Sequence, residues 1–144
     1  MTDASVLLEF IGDIVTDLAA AKATIGVKTV EQRGAGESYQ VTAPPGLIVH
    51  LDFPTETPDV LADSNPSTLN FEVNLFAVVG GKTNRHDGLL QAMTILQKAH
   101  SVLYARTDVS YGKLVLDRQP GQILFNTAQK TIVSLNYVTP FDFL

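Results

Sequence analysis

Residues 69–103 read LNFEVNLFAVVGGKTNRHDGLLQAMTILQKAHSVL, and the change of period inside this stretch decides the fold. Leu69, Phe71, Val73, Leu75, Ala77 and Val79 alternate with Asn70, Glu72 and Asn74, the pattern of a strand with one buried face. From Phe76 to Val79 the run is wholly apolar, which predicts cover on both faces at that end. Gly80-Gly81 breaks the strand, and Lys82 to Asp87 make a polar loop. From about Gly88, the residues Leu89, Met93, Leu96, His100 and Leu103 recur at helical spacing, flanked by Leu90, Ala92, Ile95, Ala99 and Val102. A stripe that broad can lie flat on a sheet, so this strand and helix are expected at the centre of one domain spanning residues 1–144.

Toward the N-terminus, Leu7, Phe10, Ile11, Ile14, Leu18, Ala21 and Ile25 share one face of a helix that Gly26 should end. Glu9, Asp13 and Asp17 share another face. Carboxylates four apart on a helix lack the multidentate wrap that Ca²⁺ needs, so they read as a face toward solvent or a partner. Val27–Gln32 reads as a short strand, Arg33–Glu37 as a turn or loop tip, and Tyr39–Thr42 as a possible second arm before Pro44-Pro45-Gly46. Leu47–Phe53 is a strong strand, with Leu47, Val49, Leu51 and Phe53 on one face and Ile48, His50 and Asp52 on the other. Residues 54–68 form a long loop carrying Glu56, Asp59 and Asp63.

Toward the C-terminus, Lys113–Arg118 and Gln122–Asn126 read as strands separated by a turn at Pro120-Gly121, and Thr131–Thr139 as the last long strand. The chain then ends on Pro140-Phe141-Asp142-Phe143-Leu144, whose apolar residues should dock on their own domain or on a neighbouring subunit. Together these elements predict an α+β fold, a mostly antiparallel β-sheet with two main helices packed on one face.

Composition narrows the function. Only 17% of the 144 residues are charged against about 25% in an average soluble domain, while 45% are apolar. Such a chain has few charges with which to cover its outside, and packing against other subunits would resolve the shortage. The net charge of −5 disfavours a general nucleic-acid binder. With no cysteine, disulfides and thiolate metal sites are excluded. No apolar run reaches the roughly 20 residues of a membrane-spanning helix, and Asp3 and Glu9 without a preceding basic residue argue against a signal peptide, so synthesis in the cytoplasm is expected.

The motifs that suggest chemistry are weak. Gly81-Lys82-Thr83 matches the end of G-x-x-x-x-G-K-[ST], but the required first glycine is Phe76, inside the strand. The structural reading is a strand-to-helix turn whose tip carries Lys82 and Arg85. His50 and Asp52 share a strand face, as a metal or acid–base pair would, yet no third ligand lies nearby. His86-Asp87 is a second adjacent pair, with Asp87 well explained as a helix cap. His100, on the apolar stripe, reads as a satisfied, partly buried histidine. No cofactor or metal is expected, and an enzyme using His50, Asp52 or His86 is the lesser alternative, a monomeric binding module a third.

The order of elements resembles a known family. An N-terminal amphipathic helix, a strand leading through a basic, glycine-flanked loop into a second helix (Phe71 to Leu103), and a β-rich last third ending in I-V-S-L-N-Y-V-T-P-F are similar to the tail-terminator proteins of long-tailed phages, particularly the small Mu-like and contractile-tail type. Related phage neck proteins and head–tail connectors share such folds. The resemblance implies a non-catalytic virion protein of the tail or neck, assembled in the host cytoplasm. It implies a ring, usually of six copies, that caps the tail tube, ends its polymerisation and meets the head–tail connector, with the sheath protein a further neighbour. DNA would pass through without specific binding, repelled by negative walls. Glu9, Asp13 and Asp17, or Glu56, Asp59 and Asp63, are the alternatives for that lining. The loop at 54–68, the basic tip at Lys82 and Arg85, and the terminal Phe141, Phe143 and Leu144 are the expected contacts with partners or neighbouring copies.

Overall fold

The computed structural model describes residues 5–34, 40–52, 68–80, 84–104, 115–127 and 129–142. Helix α1 (Ser5–Ala20) and the single turn α2 (Lys22–Ile25) lead to strand β1 (Thr29–Gly34), followed by β2 (Gly46–Asp52) and β3 (Thr68–Gly80). Helix α3 (Arg85–Tyr104) then precedes β4 (Val115–Asn126) and β5 (Lys130–Asp142). The strands form one mixed sheet in the order β1-β2-β3-β5-β4, antiparallel except for the parallel pair β1·β2. This is an α+β fold.

The period-two strands put one set of side chains on each face. On one face Leu47, Val49, Val73, Leu75, Ala77, Val79, Val133 and Tyr137 join Ile11, Ile14, Leu18 and Ile25 of α1 and α2, and Ala92, Ile95, Leu96, Ala99 and Leu103 of α3, in the main core. Helix α3 lies across β3 and β5, and α1 packs against α3 and β1. The opposite face bears a smaller cluster of Ile48, Phe76, Val78 and Ile132, with Val41 packed on it. The apolar run Phe76–Val79 is therefore buried on both faces, as its composition predicts.

Local chemistry sets the element ends. The first helical segment is interrupted at Ala21, whose amide still donates to Leu18 O at 3.1 Å, and one further turn follows. Gly26 ends that turn at φ 91°, a left-handed conformation that only glycine adopts without strain, and its amide donates to Lys22 O at 2.8 Å. The expected strand at 27–32 is displaced to 29–34. The expected second arm is absent at 40–42, while Tyr39 lies outside the described residues.

Glu31 explains the course of 40–42. On the edge strand β1 its carboxylate pairs with Arg33 at 2.6 Å and accepts the Thr42 amide at 3.1 Å and the Thr29 hydroxyl at 3.3 Å. The hydrogen bond from Arg33 holds the Glu31 carboxyl below its ordinary pKa, assisted by the Thr42 amide and opposed by partial burial. The segment leaving the loop is thus tied to the sheet by a side chain and continues into β2, parallel to β1.

At the far edge, the expected turn at Pro120-Gly121 does not form. Residues 115–126 are one strand, and Leu116 and Gly121 face Tyr137 and Leu135, so the proline falls within a register shift where β4 has surplus residues. An edge strand tolerates proline because its outward amide has no ladder partner to lose. A second shift separates Ile123, opposite Val133, from Phe125, opposite Ile132, leaving Leu124 as the extra residue. The β4–β5 turn is closed by Thr127, whose amide donates to Lys130 O at 2.8 Å and whose hydroxyl accepts the amides of Gln129 and Lys130 at 3.2 Å.

Candidate functional site

The residues with chemical potential are scattered. His50 is 2% exposed, edge-on to the Phe76 ring with centroids 4.8 Å apart, on the sheet face away from the helices. Its register neighbours are Arg33 on β1 and Asn74 on β3. Asp52 lies at the end of the same strand, with its side chain outside the described residues. A histidine so enclosed is shielded from solvent. Among the described residues no three His, Asp or Glu side chains are grouped to hold a metal.

His86 is exposed in the first turn of α3. The cap of this helix is Asn84, one correction to the sequence reading. Its Oδ1 accepts the Asp87 amide at 2.9 Å, while its Nδ2 donates to Asp87 Oδ2 at 3.2 Å. Asp87, at the third helical position, returns a contact to the Asn84 side chain rather than to its backbone, and the helix begins at Arg85 rather than near Gly88.

His100 is satisfied as its position on the stripe suggests. Its Nδ1 lies 2.6 Å from the hydroxyl of Tyr137, with the rings stacked at 22°. Burial drives the Tyr137 pKa well above its ordinary value, so the hydroxyl stays protonated and remains available to the imidazole. This pair joins α3 to β5 beneath the helix and is a structural tie. Tyr137→Phe should lower stability by about 1 kcal/mol, the worth of one part-buried hydrogen bond. Because the folded-state pKa is raised, the protonated phenol stabilises fully below about pH 10, and stability falls as pH climbs above that value. Urea unfolding on either side of pH 10 should show a shallower alkaline loss in Tyr137→Phe than in the wild type.

The residues expected at partner contacts fall in several places. Arg85 is exposed at the start of α3, while Lys82 lies outside the described residues. Glu56, Asp59 and Asp63 also lie outside them, as do Phe143 and Leu144. Phe141 belongs to β5, where it stands in register with Leu69, so the strand continues past Thr139 and the backbone to Asp142 docks on its own sheet. Glu9 and Asp17 are exposed and Asp13 half-buried along α1.

The surface feature that sequence reasoning missed is apolar. Met93, assigned by periodicity to the core stripe, and Leu90, placed on its flank, point outward and are 53% and 51% exposed. Ile123, Leu124 and Phe125 on β4 are 57%, 43% and 46% exposed. The bulge at Leu124 accounts for their spread: Ile123 and Phe125 would share a face in a regular strand, but the extra residue sets them opposite residues on different faces. The sequence signal was present in α3, where ten apolar residues exceed what one helix face can bury. In comparisons with known proteins, no family model matches the chain and no curated protein is similar to it.

Proposed function

We propose that this chain is a non-catalytic structural subunit of a phage tail, one that assembles into a ring, of six copies by resemblance, that caps the tail tube and forms the surface met by the head–tail connector. The observation that supports it best is the exposure of five large apolar side chains on α3 and β4 of a chain with only 17% charged residues. Scattered apolar residues are ordinary on a monomer, but clusters at two places on a charge-poor surface are what lateral contacts between subunits require. The tail-specific part of the reading comes from the order of elements, from the amphipathic first helix to the β-rich end.

The test is assembly on a tube. Six 15.5 kDa chains give a particle of about 93 kDa, which light scattering resolves from the monomer. Added to polymerising tail tubes, the protein should shorten them and appear as a terminal ring in electron micrographs. Unchanged tube lengths together with a particle that remains monomeric would remove this reading. Reversing charge at Lys82 and Arg85 together should impair capping while leaving the circular dichroism spectrum unchanged.

A further inference from the structure

We propose that Glu31 is the latch of a strap, residues 40–42, that lies against the sheet at neutral pH and lifts in acid while the strands stay paired. This goes beyond the ring reading and does not rest on it. Residues 40–42 belong to no strand and lie on the way from β1 to β2. Side chains fasten them to β1. Glu31 accepts the Thr42 amide at 3.1 Å and the Thr42 hydroxyl at 3.4 Å, and Arg33 Nη2 donates to Gln40 O at 3.4 Å. The end of the crossover is held differently, by the Lys28 amide donating to Pro45 O at 2.8 Å and then by the ladder between β1 and β2. One end is thus pinned by backbone, and 40–42 is fastened to β1 by two side chains. Closing the latch also seats Val41 on the cluster of Ile48, Phe76, Val78 and Ile132, beside Gly46, where a Cβ would stand 2.8 Å from it.

The negative charge of Glu31 holds this arrangement together. Four donors converge on its two oxygens: Arg33 Nη2 at 2.6 Å, the Thr29 hydroxyl at 3.3 Å, and the amide and hydroxyl of Thr42. An ionised carboxylate is purely an acceptor, with about four lone-pair sites, and its charge strengthens each bond. Protonation turns one oxygen into a donor and leaves Arg33 facing a neutral group. The hydrogen bond from Arg33, helped by the Thr42 amide, holds the Glu31 carboxyl below its ordinary pKa. The tie is therefore complete above about pH 4.5 and is lost as pH falls below that value, through the lower folded-state pKa.

The neighbouring elements bring few competing charges to this face. β2 sets Ile48 opposite Glu31 and His50 opposite Arg33. Residues 40–45 carry no ionisable side chain. Helix α1, with Glu9, Asp13 and Asp17, packs on the other face of the sheet, the side on which Val30 joins the main core. Among the described residues His50 is thus the other titratable group near the pair, and the test separates it from Glu31.

Nuclear magnetic resonance of the wild type reads the latch. The Thr42 amide proton should titrate together with the Glu31 carboxyl carbon, at a midpoint below pH 4.5. Protection of the Thr42 amide from hydrogen exchange should fall about five-fold below that midpoint, the equivalent of one net hydrogen bond. The amides of Val73–Val78 in β3 should keep theirs, because the opening is local. Glu31→Gln retains the shape without the charge, and should show the low Thr42 protection already at pH 7 with no further step in acid. The latch is wrong if the Thr42 amide does not follow Glu31, or if its protection is lost only together with that of β3. It is equally wrong if the acid step persists in Glu31→Gln, which would assign the step to another group such as His50. Should Glu31→Gln fail to fold, the wild-type titration and the comparison with β3 decide alone.

Discussion

Leu75→Ala should destabilise the protein by about 2–5 kcal/mol, whereas Leu90→Ala should change stability by no more than about 0.5 kcal/mol. Leu75 is fully buried in the middle of β3, between its register neighbours Val49 and Leu135 and beneath the helices. Strands pair on both sides of it, so the surroundings cannot collapse to fill the space left by the lost methyl groups. Leu90 is half exposed on the outer face of α3, and its truncation removes little burial. At this size each kcal/mol moves the melting midpoint by about 2–4 °C, so the first variant should melt roughly 10 °C lower than the wild type. Urea titrations of both variants measure the difference. Equal losses would mean that α3 presents a different face to the sheet.

Gly46→Val should be nearly as damaging, through overpacking. A Cβ built on Gly46 would stand 2.8 Å from Thr29 Oγ1 and 2.8 Å from both Cβ and Cγ1 of Val41. Neither neighbour can yield freely: both are β-branched, Val41 packs on the second apolar cluster, and the Thr29 hydroxyl is bonded to Glu31. Overpacking of this kind costs about 1–3 kcal/mol, with Gly46→Ala at the low end. Truncating Val41 to alanine should relieve part of the strain, so Gly46→Ala with Val41→Ala should lose at least about 0.5 kcal/mol less than the sum of the single variants. Strict additivity in that cycle would show that the approach of Val41 to β2 is not as close as described.

Much of this fold can be read from the chain because its central strands are long and strictly alternating. β2, β3 and β5 begin and end within a few residues of the alternating runs, and Gly26 stops α2 where its left-handed conformation is required. His100 meets Tyr137 because a polar residue on a core stripe needs an internal partner. Other features depend on competition that local pattern does not resolve. Asn84 and Asp87 both suit a helix cap, and the hydrogen bonds alone distinguish the cap from its third-position partner. Pro120-Gly121 signals a turn in isolation, yet on an edge strand it is accommodated as surplus length. Met93 follows the helical period as well as Leu89 and Leu96 do, with Leu90 on its flank, and only the direction of the sheet decides which of them are buried. The Thr42 amide reaches the Glu31 carboxylate from eleven positions along the chain, beside the parallel pair β1·β2, a contact that local pattern does not show.

The placement of β3 between two partners also determines how the molecule opens. All thirteen residues of β3 are in register with β5, and seven of them, Glu72–Val78, are in register with β2 on the other side. Amide hydrogens in that doubly paired stretch can exchange with solvent only when the sheet comes apart, and so report global unfolding. Those of β1 and of the outer side of β4, with a ladder on one side among the described residues, exchange through smaller, more frequent openings. Deuterium uptake should therefore rise from the middle of the sheet to its edges, so that β4 opens with the rest of the sheet intact.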